Sequence, residues 1–112
     1  MDESGNHGAQ LLLIDLQEDF LNRAGLFPPR KRIEEEARFL LESFRELSWP
    51  VSHLWTSVGR SPDNRMPHWK SADRWACEEG TLGRETPAEL RPLEREKRLS
   101  KSGFTLPELA SN

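Results

Sequence analysis

The feature that most restricts the fold is one short apolar run closed by an acid, Gln10-Leu11-Leu12-Leu13-Ile14-Asp15. A run of this length without polar alternation suits a strand buried on both faces, as in a parallel sheet. Parallel neighbours cannot be joined by a tight turn, so a crossover must follow. The chain provides one. From about Pro29 or Arg30 to Leu47, the residues Ile33, Ala37, Leu40, Phe44 and Leu47 recur at spacings of four, three, four and three, and Leu41 widens the stripe. That period puts them on one face of a helix, with Glu34, Glu35, Arg38, Glu42 and Arg45 turned to water. Proline at the first helical turn and Pro50 shortly after the last bracket the segment. Pro50 to Thr56 (PVSHLWT) then reads as a second strand and completes a β-α-β unit.

The remainder is organised around that unit. With 112 residues the chain is one domain at most. Residues 1–9 lack periodicity and are expected to form a disordered tail, leaving 10–112 as the folded part. Residues 16–29, with Gly25 and Pro28-Pro29, read as a loop. From Ser57 to about Glu94 the chain is rich in Gly, Pro, Asp and Arg, too long for a structureless connection. It is expected to fold over the surface as an ordered functional loop, with a short helix near Pro87 to Leu90. Lys97 to Ser102 is a third-strand candidate, and Thr105 to Leu109 looks like a helix start.

Composition excludes several classes of function. The net charge of -3 is spread over 31% charged residues of both signs, which gives no basic footprint for nucleic acid. Leu11 to Ile14 is too short for a signal segment or a membrane span. Cys77 is the single cysteine, so no intrachain disulfide forms, and a reducing, cytoplasmic location is expected. Only 35% of residues are hydrophobic, so the core is thin, although four Trp and five Phe supply large units to bury.

Two side chains are candidates for chemistry. Asp15 closes the first strand, and open parallel sheets bind ligands outside the carboxyl ends of their strands. An acid there can act as a general base; the alternative is an acid that bonds loop amides. Lys101 ends the third candidate strand and can reach the same edge. A lysine beside an acid and a thiol favours the thiolate. The competing reading of Lys101 is an ordinary solvated lysine among Arg95, Lys97 and Arg98.

Three blocks give these residues a context. Leu12-Leu13-Ile14-Asp15-Leu16-Gln17-Glu18-Asp19-Phe20 resembles the opening strand and loop of the isochorismatase-like cysteine hydrolases, which include nicotinamidases and N-carbamoylsarcosine amidases. Met66-Pro67-His68-Trp69-Lys70 with Cys77-Glu78-Glu79-Gly80-Thr81-Leu82-Gly83 resembles the long loop of one branch. Lys101-Ser102-Gly103-Phe104 resembles the strand that presents the family's lysine. The resemblance implies an α/β three-layer sandwich with a mainly parallel sheet in the order 3-2-1-4-5-6, here incomplete, with about three strands. It also implies an Asp-Lys-Cys triad in which Asp15 is the acid and Lys101 the lysine. Phe20 would line the substrate site, and Gln17 would support the loop; Trp69, in the long loop, either walls that site or pins the loop.

The same resemblance brings an expectation of incompleteness. The family's nucleophile lies on a later strand-to-helix turn, and Cys77 matches a loop cysteine. A partial hydrolase domain with negligible activity alone is expected, taking a small-molecule substrate only when completed by a C-terminal half. Its first strand would be left as an open edge, favouring a homo-oligomer or a complementary chain. The alternative is a non-catalytic interaction module that uses that edge. No cofactor is implied. No metal site is expected either, because the Asp-x-His pair of nicotinamidases is absent and His53 and His68 sit in a strand and a loop.

Overall fold

The computed structural model describes residues 8–60 and 62–101. Three parallel strands form one open sheet in the order β1-β2-β3, with β1 at Leu11–Ile14, β2 at Val51–Thr56 and β3 at Lys97–Lys101. The register pairs Leu11 with Val51 and Ile14 with Leu54, then Ser52 with Lys97 and Thr56 with Lys101. All three strands therefore run out at the same edge of the sheet. Between β1 and β2 lie a one-turn helix α1 (Glu18–Leu21) and the long helix α2 (Arg30–Glu46). Another short helix, α3 (Pro67–Ser71), and two 3-10 turns, Leu82–Arg84 and Ala88–Leu90, order the long connection to β3.

The sequence pattern places α2, β2 and β3 within a residue or two of their observed limits. The third strand is described as far as Lys101; Ser102, the helix start at Thr105, and the tail apart from Gly8 and Ala9 lie outside the described residues. The segment expected to be loop over 16–29 contains α1. Its first turn is held by the Gln17 carbonyl, which accepts from the Phe20 and Leu21 amides. Arg30 at the start of α2 then braces α1, donating to both carboxylate oxygens of Glu18 at 2.9 and 3.1 Å.

Two clusters make up the core. Leu13 and Val51 pack with Ala37 and Leu41 of α2 and with Leu90 from the second 3-10 turn. The second cluster lies under the long connection: Val58, Trp69 and Ala76 are buried, and Phe20, Met66 and Trp75 pack on them. The Trp75 ring lies between two guanidinium groups, Arg60 at 3.9 Å and Arg65 at 3.7 Å. Such contacts contribute about 0.5–1 kcal/mol each at exposed sites. A segment poor in aliphatic residues is thus held by aromatic and cationic packing.

Two expectations are corrected. β1 is not buried on both faces: Leu13 points into the core, but Leu12 and Ile14 are 38% and 46% exposed. The helix stripe is also wider than what the fold covers. Ala37 and Leu41 are buried, whereas Leu40 and Leu47, one flank further round, are exposed. For β1 the reason is the alternation of side chains along a strand: Leu12 and Ile14 face away from the cluster that takes Leu13.

Candidate active site

The carboxyl ends of the three strands bring Asp15, Thr56 and Lys101 together. Asp15 follows β1 at φ 58°, a left-handed conformation that Asp tolerates better than most residues because its short side chain can bond locally. The turn swings the chain away from β2 and aims the carboxylate across the strand ends. Lys101 Nζ donates to Asp15 Oδ2 at 3.2 Å and to Thr56 Oγ1 at 2.9 Å. The Thr56 hydroxyl in turn donates to Asp15 Oδ1 at 2.9 Å. The two residues singled out for chemistry, 86 positions apart in sequence, are thus in direct contact. Thr56 was not singled out as a member, since a threonine in a strand reads first as a β-branched strand former.

Gln17 supports the arrangement from behind. It is fully buried; its amide nitrogen donates to the Thr56 and Arg84 carbonyls, both at 2.8 Å, and its Oε1 accepts from the Thr56 amide at 2.9 Å. The loop-supporting part foreseen for Gln17 is visible in these bonds. Beside Lys101 a shallow cleft of about 200 Å³ is lined by Ser57, Asn64, Ser100 and Lys101.

Phe20 and Trp69 lie in the neighbouring cluster. Their ring centroids are 6.4 Å apart; Trp69 is buried, and Phe20 covers it and is partly exposed. Trp69 thus pins the long connection.

Cys77 sits at φ 55° and is fully buried. Its amide donates to Asp19 Oδ2 at 2.7 Å and its carbonyl accepts from Val58 at 3.0 Å. Burial, with Asp19 and Asp15 adding negative charge nearby, pushes the thiol up to about 12. A nucleophilic thiol needs the opposite environment, electropositive and accessible. The two described histidines are placed apart: His53 is buried against Glu96 at 2.8 Å, and His68 lies on α3 against Trp69. Among the described residues no group of three or more His, Cys, Asp or Glu side chains converges to hold a metal ion. No described helix is long and apolar enough to cross a membrane.

Comparison with known proteins agrees with this fold. The N-carbamoylsarcosine amidase from Thermoplasma acidophilum superposes with a TM-score of 0.67 at 24% identity, over 86% of this chain and 53% of that one. An isochorismatase family protein from Desulfovibrio vulgaris gives 0.62 at 25% identity, over 82% and 51%. The nicotinamidase from Bacillus subtilis gives 0.64 at 22%, over 83% and 55%. The chain therefore has the α/β fold of these structures and spans about half the length of each. A search of curated proteins finds no significant match. The model of the isochorismatase domain matches residues 9–106, nearly the whole sequence, and the chain belongs to that family.

Proposed function

We propose that this chain supplies the acid and the lysine of a small-molecule hydrolase that cleaves an amide or a related C–N or vinyl-ether bond. The observation that carries this reading is the contact between Lys101 Nζ and Asp15 Oδ2 at the carboxyl ends of β1 and β3. For an amide substrate the steps balance as follows. Asp15 takes the proton of a cysteine thiol, and the sulfur bonds to the carbonyl carbon. The C–N bond breaks, with the proton returning from Asp15 to the leaving amine. Water then hydrolyses the thioester to a carboxylic acid and restores the thiol. Lys101 holds Asp15 in place and favours the thiolate electrostatically. Phe20, with Trp69 behind it, forms the apolar wall of the substrate site.

Cys77 cannot be that sulfur, because it is buried and held neutral. The nucleophile therefore comes from a segment other than these 112 residues, and this chain alone turns over nothing. The test is ammonia release from N-carbamoylsarcosine and from nicotinamide. It is measured for the chain alone and for the chain joined to the C-terminal half of the Thermoplasma acidophilum amidase. Turnover is expected only in the joined protein, and Asp15→Asn or Lys101→Ala should lower it at least about a hundredfold. Robust turnover by the chain alone, or turnover retained in either variant, removes the reading.

A second reading is favoured by the open edge of β1. There the chain is an interaction module that pairs through β1 with a second copy or a complementary chain. Leu12→Lys should then abolish association in sedimentation experiments while Asp15→Asn leaves it intact. A wild-type protein that sediments as a monomer at all concentrations dismisses this reading.

A further inference from the structure

We infer, granting Asp15 and Lys101 the roles proposed above, that Thr56 is the positioning residue of the site, its hydroxyl fixing the ammonium and the carboxylate relative to each other. A hydroxyl has one proton and two acceptor lone pairs, whereas an ammonium only donates and an ionised carboxylate only accepts. The bonds from Lys101 Nζ to Thr56 Oγ1 and from Thr56 Oγ1 to Asp15 Oδ1, both 2.9 Å, can therefore run in one direction only. With the direct Lys101 to Asp15 Oδ2 bond they close a ring that uses two of the three ammonium hydrogens. Lys101 also lines the cleft formed with Ser57, Asn64 and Ser100.

What makes Thr56 suited to this task is its backbone. It is the last residue of β2, paired in register with Lys101. On its other side β1 has already turned away at Asp15, so no strand is left to bond it. The Gln17 side-chain amide takes that place, accepting from the Thr56 N–H and donating to the Thr56 C=O as a neighbouring peptide would. The hydroxyl thus projects from a residue clamped on both edges, itself only 2% exposed. Its direction is set before any substrate arrives.

Exchanging side chains at 56 separates this role from packing. Valine keeps the shape of threonine and removes the hydroxyl; serine keeps the hydroxyl and opens a methyl-sized gap. The readout is the rate at which an amine-acetylating reagent labels Lys101, followed by peptide mass spectrometry, with exposed Lys70 as the internal reference. In Thr56→Val, Lys101 should label roughly tenfold faster than in the wild type, as expected for a lost charge-assisted hydrogen bond. Thr56→Ser should label at the wild-type rate, and Lys70 should not change. Equal rates in the wild type and Thr56→Val overturn the inference. So does a Thr56→Ser protein that labels faster than the wild type, and this arm decides the matter alone if Thr56→Val does not fold. Labelling requires no turnover, so failure of the hydrolase reading shows in the ammonia assay and leaves this measurement standing on its own.

Discussion

Each end of the same three strands carries a cluster of charged side chains, and the two are built in opposite ways. At the amino end Glu96 accepts from Arg45 at 2.6 and 2.8 Å, from the Leu93 amide at 3.0 Å, and lies 2.8 Å from His53 Nε2. At the carboxyl end Asp15 has two side-chain donors among the described residues, Thr56 and Lys101. The Glu96 side chain is 4% exposed and that of Asp15 is 30% exposed. A saturated, buried cluster has no capacity left for a ligand; a half-open one does. A cavity of about 570 Å³, larger than the cleft beside Lys101, lies at the amino end, against Trp49, Arg95, Glu96 and Lys97. Size is outweighed there by chemistry, since parallel sheets present their binding groups at the other end. Charge therefore holds the fold together at one end and is left available at the other.

The sharpest way to break this comparison is to remove Glu96. Glu96→Ala leaves His53 buried and Arg45 half-buried without their shared acceptor, and losing one partner of a buried pair costs about 3–5 kcal/mol. Urea denaturation should show a loss of that order; a loss below about 1 kcal/mol would make the two ends alike. The same cluster predicts an acid limb. Burial alone would push the Glu96 carboxyl up, but Arg45, the Leu93 amide and His53 hold it down at about 2. A carboxyl depressed on folding stabilises the native state above its unfolded value near 4.5, and that contribution is lost as the pH falls from there toward 2. Thermal melts over this range should fall steeply for the wild type and less for Glu96→Gln, which starts lower.

A smaller effect is expected at the other end from Gly83→Ala. The Gly83 Cα lies against the Asp19 carboxylate so closely that a Cβ would collide with it. Asp19 would have to swing away, leaving the buried Cys77 amide without its acceptor. An unsatisfied buried donor costs about 1–3 kcal/mol. The midpoint in urea should drop accordingly, with faster hydrogen exchange at the Cys77 amide. Unchanged exchange would show that Asp19 does not hold this loop.

How much of this was legible follows from where each signal lives. Period-2 and period-3.6 patterns belong to regular elements, so β2, β3 and α2 could be read from the sequence and the shared strand end of Asp15 and Lys101 anticipated. Which part of the α2 stripe is covered depends on what packs against the helix, and no pattern inside α2 records that; by period alone Leu40 and Leu47 belong with Ala37 and Leu41. Thr56 was hidden for another reason. Its role arises from hydrogen bonds spanning 39 to 45 positions, formed where β1 turns away. Trp69 was ambiguous between wall and anchor because an aromatic in a Gly- and Arg-rich loop serves either purpose until its neighbours are known.

The smallest effect concerns Asp15 itself, and it separates charge from backbone. The ion pair with Lys101 is partly open to water, where such pairs contribute about 1 kcal/mol or less. Asp15→Asn keeps a side chain that tolerates φ 58° and should cost less than about 1 kcal/mol, far below Glu96→Ala. Asp15→Ala loses the same charge but must also hold a left-handed backbone that alanine disfavours, adding about 1–2 kcal/mol. Comparing the two in urea measures how much of the site's cost is conformational. If Asn and Ala are equally mild, the left-handed turn after β1 is unstrained and the carboxylate is oriented by Thr56 and Lys101 alone. If both are as damaging as Glu96→Ala, the carboxyl end is as much a structural clasp as the amino end, and the contrast between the two fails.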